Sequence, residues 1–190
     1  ASDFRMTVTP SNTVIVNKGD PVNFNIVVTN YGGTFYPEPF EGYRFVGINF
    51  GYNSNVLEYA GYTPGKNPFD GNYYAENYLV PKINPRNNLA QFAYNISEEG
   101  FRHMYCFNFT VTFNVLDYGT SVNSIAITQY PNVSKSVTVN SKPVDITITD
   151  TPSAKTMRVG DVLAFDYVVK NQGSRYNGDH FTIDIDFDTS

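Results

Sequence analysis

Apolar and polar side chains alternate with a period of two along most of this chain. The clearest run is CFNFTVTFNVL, where Phe107, Phe109, Val111, Phe113 and Val115 fall on one side and Asn108, Thr110, Thr112 and Asn114 on the other. Val22, Phe24, Ile26 and Val28 repeat the pattern against Asn23, Asn25 and Thr29. Alternation of this kind lays one face of an extended chain on a core and leaves the other in water, as in a half-buried antiparallel strand. Shorter strands are expected over 4–9, 13–16, 44–52, 56–62, 73–80, 88–95, 121–129 and 134–148. Gly, Pro and Asn gather between them, at 30–42, 64–72, 81–88, 117–120 and 130–132, where tight turns need their backbone freedom. Helical spacing is missing, except that NISEEGFRHM predicts one turn, with Ser97 as its cap and Glu98 and Glu99 behind it. Many short strands at regular spacing predict an all-β chain folded as an antiparallel β-sandwich.

The pattern also repeats at long range. Residues 19–32 read GDPVNFNIVVTNYG and residues 160–173 read GDVLAFDYVVKNQG, and position 160 minus position 19 gives a period of 141 residues. That period is one whole domain, well above the roughly 20–50 residues of a solenoid repeat. The organisation expected is a complete module over 1–149 and the incomplete start of a second, similar repeat over 150–190. Strands are expected there at 156–159, 162–170 and 180–187. A fragment of that size cannot bury a core alone. It calls for cover from the first domain, a neighbouring chain or a swapped copy, so strand exchange through residues 150–190 is one expected partnership.

Composition narrows the chemistry. Aromatic residues make up 16% of the chain, all Phe and Tyr, and the net charge of −5 comes without a Lys/Arg cluster, so no nucleic-acid partner is expected. No apolar run approaches the roughly 18 residues of a membrane span. Glycosylation sequons at Asn95, Asn108 and Asn132 carry little weight in so Asn-rich a chain. The single cysteine, Cys106, reads as a small buried hydrophobe. His103, three residues earlier on the same expected strand, falls on the opposite face, and His180 lies in the incomplete repeat, so a Cys–His nucleophile is not expected. Asp184, Asp186 and Asp188 alternate along one expected strand and read as a solvated face, since a cation needs ligands converging from loops. No paired carboxylates suggest an enzyme, and no cofactor or metal is expected.

One segment carries a family resemblance. Residues 46–65 read VGINFGYNSNVLEYAGYTPG: an alternating strand ending in an aromatic, an Asn-containing turn, Val56-Leu57-Glu58, then a strand closing in Pro-Gly. This resembles the cohesin modules of cellulosomal scaffoldins and related cell-surface proteins, with Asn53 where that family usually has Asp. NNLAQFAYN (87–95), ISEEGFRHMYCFNFTV (96–111) and SKSVTVNSKPVDITI (134–148) resemble further cohesin strands, so the likeness covers about residues 6–148. FTIDIDFDTS (181–190) matches the same strand and turn, with Phe187-Asp188-Thr189 aligned to Tyr52-Asn53-Ser54.

The resemblance implies a nine-stranded jelly-roll that does not catalyse but captures a dockerin, a small helical module carrying its own calcium, outside the cell or at a bacterial-type surface. It also implies that one sheet face meets the dockerin, through outward residues of two strands. These are Phe45, Gly47 and Asn49, with Ile48, Phe50 and Tyr52 inward, and Leu89, Gln91 and Ala93, with Ala90, Phe92 and Tyr94 inward. Arg86 and Lys82 are candidates for a charged rim. Two other readings stay open. Polysaccharide could stack on Tyr31, Phe35, Tyr36, Phe40 and Tyr43, or on Tyr73, Tyr74 and Tyr78, though Trp is absent. Alternatively, the sandwich is an immunoglobulin-like structural repeat of a surface adhesin.

Overall fold

In the computed structural model, which describes residues 2–66, 79–96 and 100–188, the period-two segments of the first 143 residues become ten strands. They are β1 (Phe4–Thr9), β2 (Val14–Val16), β3 (Pro21–Asn30), β4 (Arg44–Gly51), β5 (Leu57–Pro64), β6 (Leu79–Asn84), β7 (Leu89–Ile96), β8 (Cys106–Val115), β9 (Gly119–Ile127) and β10 (Tyr130–Ser141). One sheet has the order β1-β3-β8-β5, the other β2-β10-β9-β4-β7-β6. All ladders of this unit are antiparallel except the short one between β2 and β10. The unit is an all-β sandwich, with one strand more than the nine expected.

Aromatic rings from the facing sheets interlock to fill it. Phe107, Phe109, Val111, Phe113 and Val115 of β8 are all buried, as are Phe24, Ile26 and Val28 of β3. Tyr94 of β7 stacks on Phe107 with centroids 4.6 Å apart, and Phe92 meets Phe109 at 5.2 Å. Phe113 is the hub: its ring lies 5.1 Å from Phe50, 4.9 Å from Tyr52, and 6.1 Å from both Phe24 and Tyr59. Contacts like these add about 0.5–1.5 kcal/mol each beyond the area they bury.

The turn after β4 is held by amide side chains. Asn53 Oδ1 accepts from the Asn55 backbone N–H, and Asn53 Nδ2 donates to the Thr120 carbonyl. Asn88 Oδ1 accepts from both the N–H and the hydroxyl of Ser54. An aspartate at position 53 would keep the acceptor but lose the donor to Thr120, which is a physical reason for asparagine here.

Several sequence expectations need correction. Residues 81–88 were expected to be a turn, yet Leu79–Asn84 form β6, followed by a 3-10 turn at Pro85–Asn87. β6 is a sheet edge, where Pro81 is tolerated because one side of the strand needs no ladder partner. His103 is on no strand: it sits in the turn before β8, its Nδ1 2.9 Å from the Gly32 carbonyl, while Cys106 is buried. The expected strand at 134–148 is split between β10 and β11 (Ile146–Pro152). Ser97, Glu98, Glu99, Tyr73, Tyr74, Tyr78 and Thr189 lie outside the described residues.

The second unit, Val144–Ser190, pairs β11 with β12 (Phe165–Asn171) in an antiparallel hairpin. Residues 156–159 and 180–187, expected as strands, are not strands. An extended segment becomes a strand only when a neighbour supplies a ladder, and no described residue of this unit does so. The alternation of Asp184, Asp186 and Asp188 therefore falls on irregular chain.

Phe113→Ala is expected to destabilise the first unit by about 3–5 kcal/mol in denaturant unfolding, the cost of emptying an aromatic-sized site in a packed core; a loss within about 0.5 kcal/mol, typical of surface positions, would show that Phe113 is not the hub. A second expectation concerns pH. Burial raises the Tyr52 and Tyr59 phenols above their ordinary value of 10.0, helped by the Glu58 carboxylate and by Tyr62 respectively. The folded state thus holds these protons more tightly than the unfolded chain, so their contribution is complete below the ordinary value and lost as pH rises through the raised ones. Stability should fall in strong alkali, and Tyr52→Phe should extend the alkaline limit upward, read from tyrosinate absorbance alongside unfolding.

Candidate functional site

The outer face of the six-stranded sheet is shaped by the β4–β7 ladder. Its register sets Gly47 against Ala93 and Asn49 against Gln91. Alternation sends Val46, Ile48 and Phe50 into the core and leaves Phe45, Gly47 and Asn49 outward, with Leu89, Gln91 and Ala93 outward on β7. Gln91 Nε2 donates to Asn49 Oδ1 at 3.1 Å, tying the two polar members together.

One end of this face is a groove of about 450 Å³. The floor is Phe45, Gly47, Asn49, Gln91 and Ala93, and one wall is Val80 and Lys82 of β6. The opposite wall forms where β9 parts from β4. Backbone pairing of these strands runs from Gly51 to Ile48. Beyond it the Gln129 side chain continues the ladder, accepting from the Gly47 N–H at 3.1 Å and donating to the Phe45 carbonyl at 2.9 Å. Thr128 lies directly over Gly47: a Cβ at position 47 would stand 2.6 Å from its Oγ1 and 3.0 Å from its Cβ. Glycine is required there by close approach.

An aromatic hairpin from the long loop overhangs the floor. Phe40 and Tyr43 exchange backbone hydrogen bonds of 2.7 and 3.0 Å. Glu41 and Gly42 between them both have positive φ, 50° and 83°, the requirement of a type I′ turn. The loop is anchored at two points before it reaches the groove. Phe35 exchanges backbone bonds with Phe101, and the Arg44 guanidinium donates to the Pro37 carbonyl. Phe40 remains 65% exposed, Tyr43 57% and Val80 50%, an apolar rim around the amides of Asn49, Gln91 and Gln129. A half-buried floor with an aromatic rim and a few directed polar groups suits a partner that inserts an apolar side chain.

The residues singled out from sequence separate into two groups. Phe45, Gly47, Asn49, Gln91 and Ala93 meet in the groove, and so does Lys82. Leu89 shares the face but sits at its other end, paired with Gly51, and Arg86 is exposed on the 3-10 turn. Val80, Thr128 and Gln129 were not foreseen, because their place depends on strand order and on where β9 diverges. The hairpin did leave a signal, the Phe-Glu-Gly-Tyr run with Gly at the second turn position. The proposed row of stacking aromatics fails at Phe35, which packs into the core against Phe4 at 5.4 Å and Tyr130 at 5.2 Å. Tyr31 is covered by the Arg5 guanidinium, 4.1 Å from its ring centre. Among the described residues no three His, Cys, Asp or Glu side chains cluster to hold a metal, and no helix is long and apolar enough to cross a membrane.

No family model matches the chain, and no curated protein matches it. Among solved structures it is similar to the cohesin CaCohA2 of Clostridium acetobutylicum, at 9% identity over 73% of this chain and 90% of that one, with a TM-score of 0.47. It is also similar to a type I cohesin–dockerin complex, Coh-OlpC-Doc435, of Clostridium thermocellum, at 11% identity over 75% and 97%, TM-score 0.44. A third likeness is the C-terminal domain of the Streptococcus pyogenes antigen I/II-family protein AspA, at 12% identity over 72% and 46%, TM-score 0.46. All three likenesses are distant.

Gly47→Ala is expected to cost about 1–3 kcal/mol through overpacking against Thr128. Combined with Thr128→Gly, much of that cost should disappear in a double-mutant cycle measured by denaturant unfolding. Strict additivity of the two substitutions would show that Thr128 does not seat on Gly47.

Proposed function

We propose that the first unit is a non-catalytic, cohesin-like binding module that captures a dockerin-type partner on the outer face of its six-stranded sheet, outside the cell or at its surface. The observation that carries this reading is convergence. Five residues named by the cohesin resemblance of the sequence, Phe45, Gly47, Asn49, Gln91 and Ala93, line one groove together with the exposed Phe40, Tyr43 and Val80. A helical partner would seat an apolar side chain between Phe45 and the Phe40–Tyr43 hairpin, with the Asn49–Gln91 pair and Lys82 offering polar contacts at the edge. Discrimination falls to the aromatic and amide positions and to Lys82, because Gly47 and Ala93 contribute flatness and no polar side-chain chemistry. Calcium belongs to the partner in this reading.

Calorimetry against a panel of dockerins, with and without a chelator, tests the proposal. Binding to at least one member is expected with calcium and not after chelation. Phe45→Ala and Tyr43→Ala are each expected to weaken it about tenfold or more, as truncation of a central aromatic anchor does. Thr7→Ala, exposed on the opposite sheet, should leave binding unchanged. Absence of binding across the panel, or binding indifferent to both aromatic substitutions, would overturn the reading. Retention of a polysaccharide that Tyr43→Ala abolishes, with no dockerin bound, would assign the groove to sugar instead.

A further inference from the structure

The hairpin of the second unit repeats the strand register and the turn bonds of the β1–β3 corner of the first. β1 pairs with β3 so that Phe4 faces Asn30 and Thr9 faces Asn25. β11 pairs with β12 so that Ile146 faces Asn171 and Thr151 faces Asp166. The corner that follows is repeated too. Asn30 Nδ2 donates to the Gly33 carbonyl and its Oδ1 accepts from the Gly32 N–H, both at 2.9 Å. Asn171 makes the same pair with Ser174 and Gly173, at 2.7 and 3.0 Å. The Tyr31 N–H donates to the Asp3 carbonyl at 2.7 Å, as Gln172 does to Asp145 at 2.7 Å. Gly19 and Gly160 share left-handed backbone, φ 88° and 94°.

The two corners differ in what covers them. In the first unit β8 pairs along β3 from Pro21 to Thr29, and the segment before β8 closes on Asn30, whose side chain donates to the Phe101 carbonyl and whose backbone bonds Met104 and Tyr105. With the facing sheet also laid over them, as Phe50 is on Phe24, Phe24, Ile26 and Val28 are 0% exposed, and Asn30 likewise. Their counterparts Phe165, Tyr167 and Val169 are 44%, 37% and 36% exposed, and no described strand pairs with the far edge of β12. A two-stranded hairpin is marginal by itself, and an apolar open edge is a template for another strand.

The geometry points to a strand of the β8 kind as the missing partner: the β12 edge is a docking site for an antiparallel segment with the chemistry of residues 100–115. That chemistry is a loop whose carbonyl receives the Asn171 amide, then alternating Phe or Val facing Phe165, Tyr167 and Val169, with Asn or Thr facing solvent. The second unit is then the opening corner of a second sandwich, and adding this strand supplies the third of the four strands that the matching sheet of the first unit has. The argument is independent of what the groove of the first unit binds.

A synthetic peptide of residues 100–115, added to the 190-residue chain and also fused behind it through a flexible Gly/Ser linker, provides the test, with amide hydrogen exchange followed across residues 165–171. Exchange there should slow by about tenfold or more, as local opening is suppressed. The same peptide with Asn at positions 107, 109, 111 and 113 should have no effect in either format. Three results would overturn the inference: unchanged exchange in both formats, slowing confined to the first unit, or protection of 165–171 already present without the peptide and lost on dilution, which would make a second copy of the chain the occupant.

Discussion

Phe113 stands where the two sheets of the first unit are locked together, and the rest of the sandwich is arranged around that contact. Its ring touches aromatic residues of β3, β4 and β5 as well as Tyr52, so the volume of one side chain ties together three strands and a turn. The constraint behind it is the period of two. A slip of one residue in β8 would send Phe107, Phe109, Val111 and Phe113 to solvent and bring Asn108, Thr110 and Thr112 into the core. On the solvent side those polar residues are used. Asn25 donates to Asn108 Oδ1 and Thr112 donates to Asn23 Oδ1, across the same β3–β8 ladder. Register is therefore held from both faces.

The groove is a consequence of strand divergence on the opposite sheet. Continuous pairing of β9 along β4 would leave a flat sheet face without this wall. The regular ladder instead ends at Ile48, one last backbone bond runs from the Thr128 N–H to the Gly47 carbonyl, and the Gln129 amide then supplies one donor and one acceptor where backbone would have been. A primary amide can do this because it carries both functions in one plane, the geometry of a peptide group. The substitution lets the chain turn away toward β10 and raise a wall, while Thr128 settles on Gly47. The hairpin of Phe40 and Tyr43 adds exposed aromatic surface on a short, stiff turn, anchored behind by Phe35 and Arg44. Rigid aromatic surface costs little conformational entropy on binding, which suits it to recognition.

The repeated corner shows how much structure a local sequence can carry alone. Asn and Gly at matching positions rebuild the same turn hydrogen bonds in the second unit, although the apolar face above them is open. Turn and ladder geometry there come from side chains close in sequence and from one strand pairing. Burial is a separate matter, since it requires the facing sheet as well as the neighbouring strand, both built from residues distant in the chain.

The sequence by itself determined the all-β class, the inward and outward faces of β3, β4, β7 and β8, and the long-range repeat, because each rests on the period of two or on local turn chemistry. The cohesin resemblance pointed to β4 and β7, and alternation along them then gave the outward side chains, five of which line the groove beside Lys82. Tertiary structure alone decided that Val80, Thr128 and Gln129 complete the groove and that Leu89 and Arg86 stand away from it. It also made Pro81 part of an edge strand and drew Phe35 into the core. Each of these depends on which strands are neighbours and where a ladder ends, which is fixed by contacts between residues far apart in the chain and leaves no local pattern to read.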